Sequence, residues 1–267
     1  MTEFTLPPKP KKTPWQKMRP YIIGIILLAI YIWTFTSIEI RWSRVFSQHT
    51  IESLTRVIPQ LFSPDWSAFG KVMGLMWETL LMAYTGTLMA AILAIPFGFF
   101  AARNMVRNKF LNTASKWALN AIRAFPELVL ALMFVAAVGP RPFAGVIAIA
   151  IGSIGMLGKL YSEVIESIDM NVVEALEANG ANKLQVLVYG IIPQIIPEFL
   201  SYAIYRFEID VRASTILGII GAGGIGTLIT IATTNRNWSE VGLILLVIIV
   251  VVTLIDIISA QIRKRLV

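Results

Sequence analysis

Three residue patterns in this chain have types and spacings that could do chemistry. Ile219 to Leu228 reads IIGAGGIGTL, and Gly221, Gly223 and Gly226, with Gly224 between them, fit G-x-G-x-x-G. That pattern seats a dinucleotide pyrophosphate when a strand precedes it, a helix follows and an acidic residue lies about 20 positions on; Glu240 stands roughly there. Gly152 to Leu160 reads GSIGMLGKL and echoes a phosphate-binding loop. Three charge pairs stand four residues apart: Arg123 with Glu127, Arg206 with Asp210, and Glu208 with Arg212. At that spacing opposite charges meet on one helix face, and Pro126, lying inside the first pair, is expected to bend its helix. Catalytic side chains are scarce. There is no cysteine and one histidine, His49. That excludes thiolate chemistry and leaves zinc without its usual ligands, so neither a catalytic residue nor a metal site is expected.

The elements that must carry these residues decide their meaning. Of 267 residues, 56% are hydrophobic and 15% are charged, against about 25% charged in soluble domains. The mean hydropathy is +0.71. A membrane crossing needs about 20 mostly apolar residues. Six stretches qualify: 21–38, 76–101, 117–138, 143–160, 190–211 and 241–262. A seventh apolar stretch, 216–231, is short and glycine-rich, and reads as a re-entrant or broken-helix element. The fold class expected is therefore an all-α membrane protein with six transmembrane helices and a glycine-rich element between helices five and six.

Basic residues mark the cytoplasmic side. Lys9, Lys11, Lys12, Lys17 and Arg19 precede the first span, Arg103, Arg107, Lys109 and Lys116 follow the second, and Arg263, Lys264 and Arg265 follow the sixth. Arg41, Arg44, Arg56, Lys71, Arg141 and Arg236 are spread more thinly over the opposite side. Both termini are thus expected inside. The net charge of +7 becomes a topology signal, with no call for nucleic acid. The organisation expected is a basic tail over 1–20, a first span kept as an uncleaved anchor over 21–38, and an extracytoplasmic loop over 39–75. A core over 76–262 and a short tail over 263–267 follow. Val45, Phe46, Leu54, Val57, Ile58, Leu61 and Phe62 recur at near-helical spacing and predict an amphipathic helix at the outer interface, with His49 solvated upon it.

In that setting the glycine patterns lose their nucleotide reading. No alternation of strands and helices surrounds Gly221 to Gly226. Small residues in membrane segments serve close backbone approach, or a helix break beside a cavity. Two readings remain open: tight helix packing, and a mobile constriction or gate. The second pattern fails outright, since Gly-x4-Gly-Lys needs Gly at 153 and Ser or Thr at 160, where this chain has Ser153 and Leu160.

The connection between the fourth and fifth spans, 161–189, is the most polar ordered stretch. Asp169-Met170-Asn171 forms a turn, and Val172, Val173, Ala175 and Leu176 share one side of a short helix. Asn179-Gly180 ends it in the way helix C-termini prefer. Asn182, with Gln185 three residues on, caps the next helix. Pro193 and Pro197 open the following span.

Glu174-Ala175, Gly180 and Pro193 resemble the EAA motif of binding-protein-dependent ABC importer permeases: E-A-A, three residues, G, nine residues, I-x-L-P. Leu176 stands for the second Ala, Gly190 for the Ile and Ile192 for the Leu. The stretches RAFPELVLALMFVAAVGPRPFAGV, EANGANKLQVLVYGIIPQ and YRFEIDVRASTILGIIGAGGIG resemble the phosphonate importer permeases in particular, over about 77 to the C-terminus. One departure is Gly152-Ser153, where relatives often carry His-Thr. The resemblance implies a type I permease fold in a bacterial cytoplasmic membrane, working as a homodimer with two ATPase subunits that bind ATP and Mg, and with an extracytoplasmic solute-binding protein. It implies that Val172, Val173, Glu174, Ala175, Leu176, Gly180, Asn182 and Pro193 form the ATPase-coupling element. A phosphonate, phosphite or phosphate anion needs forked donors, and Arg206, Arg212, Ser214 and Thr215 are candidates along its path; the bland alternative is that the pairs only fix helix packing. An importer of the same architecture for methionine or a quaternary amine, and a stand-alone secondary transporter, are the competing functions.

Overall fold

The structure is a computed structural model that describes residues 14–37, 46–106 and 108–266, without the side chains of residues 16 and 17. Lys9, Lys11, Lys12, Arg41, Arg44, Arg107 and the side chain of Lys17, which bear on topology, and Val45, which bears on the amphipathic helix, lie outside the described residues. Every regular element among the described residues is helical. The chain divides into two units between Arg56 and Val57.

The first unit holds α1 (Pro14–Ser37) and the start of α2 (Gln48–Leu61). From Tyr21 to Trp33 α1 has no charged residue and is apolar on every side, which is what a helix needs when its surroundings are hydrocarbon. α2 carries Leu54, Val57, Ile58 and Leu61 of the expected apolar set, with Phe46 and Phe62 beyond its ends, and His49 on it is exposed.

The second unit is a helix bundle: α3 (Phe69–Ala101), α4 (Lys109–Ala124), α5 (Glu127–Val138), α6 (Pro142–Ser167), α7 (Met170–Ala178), α8 (Lys183–Gln185), α9 (Ile192–Leu217), α10 (Ile225–Thr234) and α11 (Trp238–Leu266). Its centre is the α3–α6 pair, the most extensively packed in the molecule. Small residues make that possible. Ala83, Gly86, Ala90, Ala94 and Gly98 of α3 are buried, and a Cβ on Gly86 would meet Ile149 Cγ2 at 2.7 Å while one on Gly98 would meet Tyr161 Cβ at 2.8 Å. Without a hydrophobic drive between helices in lipid, such close backbone approach supplies the packing energy. Large apolar residues on the outer faces, among them Leu88 and Ile92 of α3 and Ile249 and Leu254 of α11, are exposed.

Among the described residues, five helices are long and apolar enough to cross a membrane, or six if the bent pair α4–α5 counts as one. The third span, expected over 117–138 with a bend at Pro126, is broken there: the α4 and α5 axes meet at 80°. The cause is Pro126: it cannot donate an N–H, and it forces Phe125 into extended backbone (φ −83°, ψ 122°). The second span also begins earlier than its hydropathy suggests. α3 continues through Gly70, Lys71 and Gly74 because Val72 and Met76 are buried against Ile225, Leu228, Leu243 and Ile244. The fifth span enters through a π turn, Val186–Ile191, before α9.

Candidate functional site

The buried charges form two separate clusters on opposite sides of α9. In the inner one, Arg206 is a hub. Its Nε donates to Ser153 Oγ at 2.8 Å and lies 2.9 Å from Asp210 Oδ1, while Nη2 pairs with Glu127. Asp210 Oδ2 accepts from Thr87 Oγ1 at 2.7 Å and from Ser153 Oγ at 2.9 Å. Because the Nε–H is aimed at Ser153, Asp210 Oδ1 holds its cation by proximity and makes no hydrogen bond. Asp210, Ser153 and Thr87 are buried, as is Arg206. A charge at this depth persists only where partners compensate it, and here three helices supply them.

Arg123 and Glu127 were expected to neutralise each other. They do not, because the 80° turn at Pro126 removes the helical relation between positions four apart, and Glu127 turns inward to Arg206. Room for that carboxylate comes from α6. A Cβ on Gly152 would meet Glu127 Cγ at 2.7 Å, one on Gly155 would meet Arg123 Cγ at 2.8 Å, and one on Gly158 would meet Leu119 Cδ2 at 2.6 Å. The GSIGMLGKL stretch is therefore a groove that accepts the α4–α5 break. A cavity of about 360 Å³ opens there, lined by Arg123, Glu127, Gly152, Lys159, Glu163 and Arg206 among others. Lys159 and Glu163, one turn apart on α6, pair along its wall at 2.9 Å.

The outer cluster faces α11. Arg212 Nη2 donates to Glu208 Oε1 at 2.8 Å and to both oxygens of Asp256, at 2.8 and 2.7 Å. Arg263 Nη1 donates to Glu208 Oε2 at 2.7 Å and its guanidinium lies 5.4 Å from the centre of the Tyr205 ring. The four residues proposed from sequence as one anion path are thus not brought together. Arg206 faces α5 and α6, and Arg212 faces α11. Ser214 is buried and donates to the Val211 carbonyl at 2.9 Å, and Thr215 donates to the Arg212 carbonyl at 2.7 Å.

The glycine run makes a turn between α9 and α10. A 3-10 turn, Gly218–Ile220, leads into Gly221, Gly223 and Gly224 at φ of 92°, 87° and 69°, backbone that favours glycine. Gly226 packs its backbone on Gly218, whose added Cβ would meet Gly226 Cα at 2.7 Å. The amide of Gly224 donates to Glu78 Oε1 at 3.1 Å and that of Ile225 to Thr79 Oγ1 at 2.8 Å. The orphan donors at the start of α10 thus find acceptors on α3.

The hairpin α7–α8 has local chemistry that dictates its shape. Asp169 caps α7 by accepting from the Asn171 amide at 2.9 Å. Gly180, at φ 81°, donates to the Glu177 carbonyl at 2.9 Å, and the Ala181 amide donates to Leu176 at 3.1 Å, which is a Schellman stop. Asn182 and Gln185 form the capping box. Val173 is buried and Leu176 packs beside it against the bundle, whereas Val172, Glu174 and Ala175 are exposed. The apolar side expected to be uniform is therefore split between an inward and an outward face. Pro193 sits in the first turn of α9, where its missing N–H costs least. Gln194, which the sequence reading passed over, accepts from the Asp169 amide at 2.9 Å and donates to the Gly190 carbonyl at 2.7 Å.

A bundle of long apolar helices with compensated buried charges, a capped polar hairpin before α9 and a glycine turn before α10 has the make-up of a membrane-embedded subunit. The chain belongs to the family described as Binding-protein-dependent transport system inner membrane component, whose profile matches residues 94–267. It is 39% identical over 214 residues, 80% of this chain and 78% of the relative, to the "Phosphite transport system permease protein PtxC" of Stutzerimonas stutzeri. It is 34% identical to the "Putative phosphite transport system permease protein HtxC" of the same organism, over 93% of this chain and 87% of that one. It is also 34% identical to the "Phosphate-import permease protein PhnE" of Mycolicibacterium smegmatis, over 92% of this chain and 43% of that longer protein. Among solved structures, a chain of the "MetNI methionine ABC transporter" in inward-facing form superposes with a TM-score of 0.67 at 19% identity, covering 76% of this chain and 99% of that chain. The fold is that of an ABC importer permease.

Proposed function

We propose that this chain is the transmembrane permease subunit of an ATP-driven, binding-protein-dependent importer of phosphonate, phosphite or phosphate. The observation that carries the substrate class is that relatives aligning over 80% or more of the chain are named for phosphorus oxyanions. Two copies pair in a bacterial cytoplasmic membrane with six spans each and both termini inside. Two ATPase subunits, which hold the ATP and Mg, grip the hairpin from the cytosol, and an extracytoplasmic protein delivers the solute. The chain itself contributes no catalysis and binds no cofactor.

In this reading the exposed face of α7, with Val172, Glu174 and Ala175, meets the ATPase. Val173 and Leu176 hold that helix to the bundle, Gly180 and Asn182 set the turn, and Pro193 starts the span that moves. Gly221, Gly223, Gly224 and Gly226 form the gate element, anchored through Glu78 and Thr79. Arg206 and Arg212 act through their ion pairs, keeping α9 in register with α5, α6 and α11. Ser214 and Thr215 fix the backbone between Arg212 and the glycine turn.

The deciding experiment is uptake by the reconstituted complex, with labelled 2-aminoethylphosphonate, phosphite and phosphate in mutual competition and methionine as the control. One of the phosphorus oxyanions should accumulate in an ATP-dependent way. Accumulation of methionine alone would overturn the assignment.

A further inference from the structure

We propose that the polar face of α4 is the inward leg of the conduit, a ladder of cations that passes a tetrahedral phosphorus oxyanion from the cavity at the α4–α5 break to the far end of the helix. This rests on the importer reading above.

The sequence of α4 sets up the ladder. Lys109, Thr113, Lys116, Asn120 and Arg123 recur at helical spacing, and at 3.6 residues per turn they fall within roughly a quarter of its circumference. The three cations are seven residues apart, so each step is two turns, about 10 Å. Leu119 is buried to one side of this stripe, and Phe110 and Trp117 are exposed to the other. The stripe opens into a cavity at each end. Arg123 lines the one of about 360 Å³ at the break. Lys109, Thr113, Lys116 and Asn120 line one of about 600 Å³ together with Arg103 from the α3–α4 connection. Asn120 and Arg123 are one turn apart, so the two spaces share a single polar wall.

The charge balance points the same way. Each carboxylate near the ladder is occupied. Glu127 pairs with Arg206, Glu163 with Lys159 at 2.9 Å, and Glu166 with Lys116 at 3.1 Å while also accepting from the Arg103 amide at 2.9 Å. Among the described residues, Arg123, Lys109 and the guanidinium of Arg103 have no carboxylate within 4 Å. The wall therefore keeps net positive charge at its two ends, from Arg123 at one and from Lys109 and Arg103 at the other, while the middle rung Lys116 is paired with Glu166, as Arg206 and Arg212 are with their carboxylates. Single cations spaced along a path attract an anion at several sites and hold it firmly at none, which is the condition for passage.

A lipid headgroup offers the same phosphate chemistry, so the test separates the two sources. The complete complex, permease pair with ATPase and binding protein, is reconstituted in phosphatidylcholine vesicles with and without phosphatidylglycerol. Uptake of labelled phosphite and phosphate is measured for wild type, Arg123→Gln, Arg123→Lys and Lys109→Gln, each first shown to assemble by size-exclusion chromatography. The glutamine variants should lose roughly tenfold in uptake in both lipids, as removal of a steering charge does, and Arg123→Lys should recover most of it. Glutamine variants that transport at the wild-type rate would overturn the ladder, and so would a loss confined to vesicles containing phosphatidylglycerol, which would assign the wall to lipid. Because the chain has no cysteine, Asn120→Cys gives a unique thiol and a second readout. It should react faster with a negatively charged methanethiosulfonate than with a positively charged one, and phosphate should slow the reaction; no preference for the anionic reagent counts against the proposal. A wild-type complex that imports none of the phosphorus oxyanions would instead sink the importer assignment itself.

Discussion

Leu176 and Gly190 are the two places where the hairpin departs most from the motif it resembles, and the structure makes them one event. A Cβ on Gly190 would lie 2.9 Å from Leu176 Cδ1. The large residue at 176 occupies the space vacated at 190. Gly190→Ile should overpack by about 1–3 kcal/mol, and Leu176→Ala, a half-buried position, should leave a void costing about 2 kcal/mol. The double variant should be better than their sum by at least about 0.5 kcal/mol. Thermal unfolding of the four proteins in detergent measures this, and strictly additive losses would refute the pairing. Arg206 gives a harsher case. Arg206→Met strands Glu127 and Asp210 together, and breaking a buried pair on one side costs about 3–5 kcal/mol; the same unfolding assay should show a far larger drop than for Ser153→Ala, which leaves the ion pairs in place.

At the scale of elements, what is local was legible and what is distant was not. Asn182 and Gln185 announce a capping box within four residues of chain, and Gly180 announces a stop, because each cap is a contact between near neighbours. Pro126 announced a bend, but the sequence did not reveal that the bend would hand Glu127 to Arg206, 79 positions on. Likewise the glycine run could be freed of its dinucleotide reading by its apolar surroundings, yet Glu78 and Thr79 reach it across 146 positions. Thr87 gave no signal, since a small hydroxyl in an apolar helix usually bonds its own backbone, and Ser153 stood out only as a departure from the family pattern, with no hint of its partners. Gly180 supports a direct test of the hairpin. Its φ of 81° penalises any L side chain by about 1–2 kcal/mol. Gly180→Val should therefore weaken co-purification of the ATPase while the protein still reaches the membrane; normal co-purification would count against the coupling role.

For the molecule as a whole, sidedness is the decisive property. A single cysteine placed at Glu177 in the hairpin should stay unlabelled by an impermeant maleimide on intact cells and become labelled once the cells are opened. Labelling on intact cells would remove the hairpin from the ATPase and the proposed function with it. That long apolar helices build the chain was legible from hydropathy, but the break at Pro126 and the assembly of the two charge clusters required coordinates, because they depend on which faces meet. The clasp at Gln194 has a mechanical consequence. One amide side chain joins the front of the hairpin to the foot of α9, and Arg206 stands twelve residues, about 18 Å, further along that same rod. A pull delivered to the hairpin has a short, stiff linkage to the charged centre of the protein, with no slack loop to absorb the stroke.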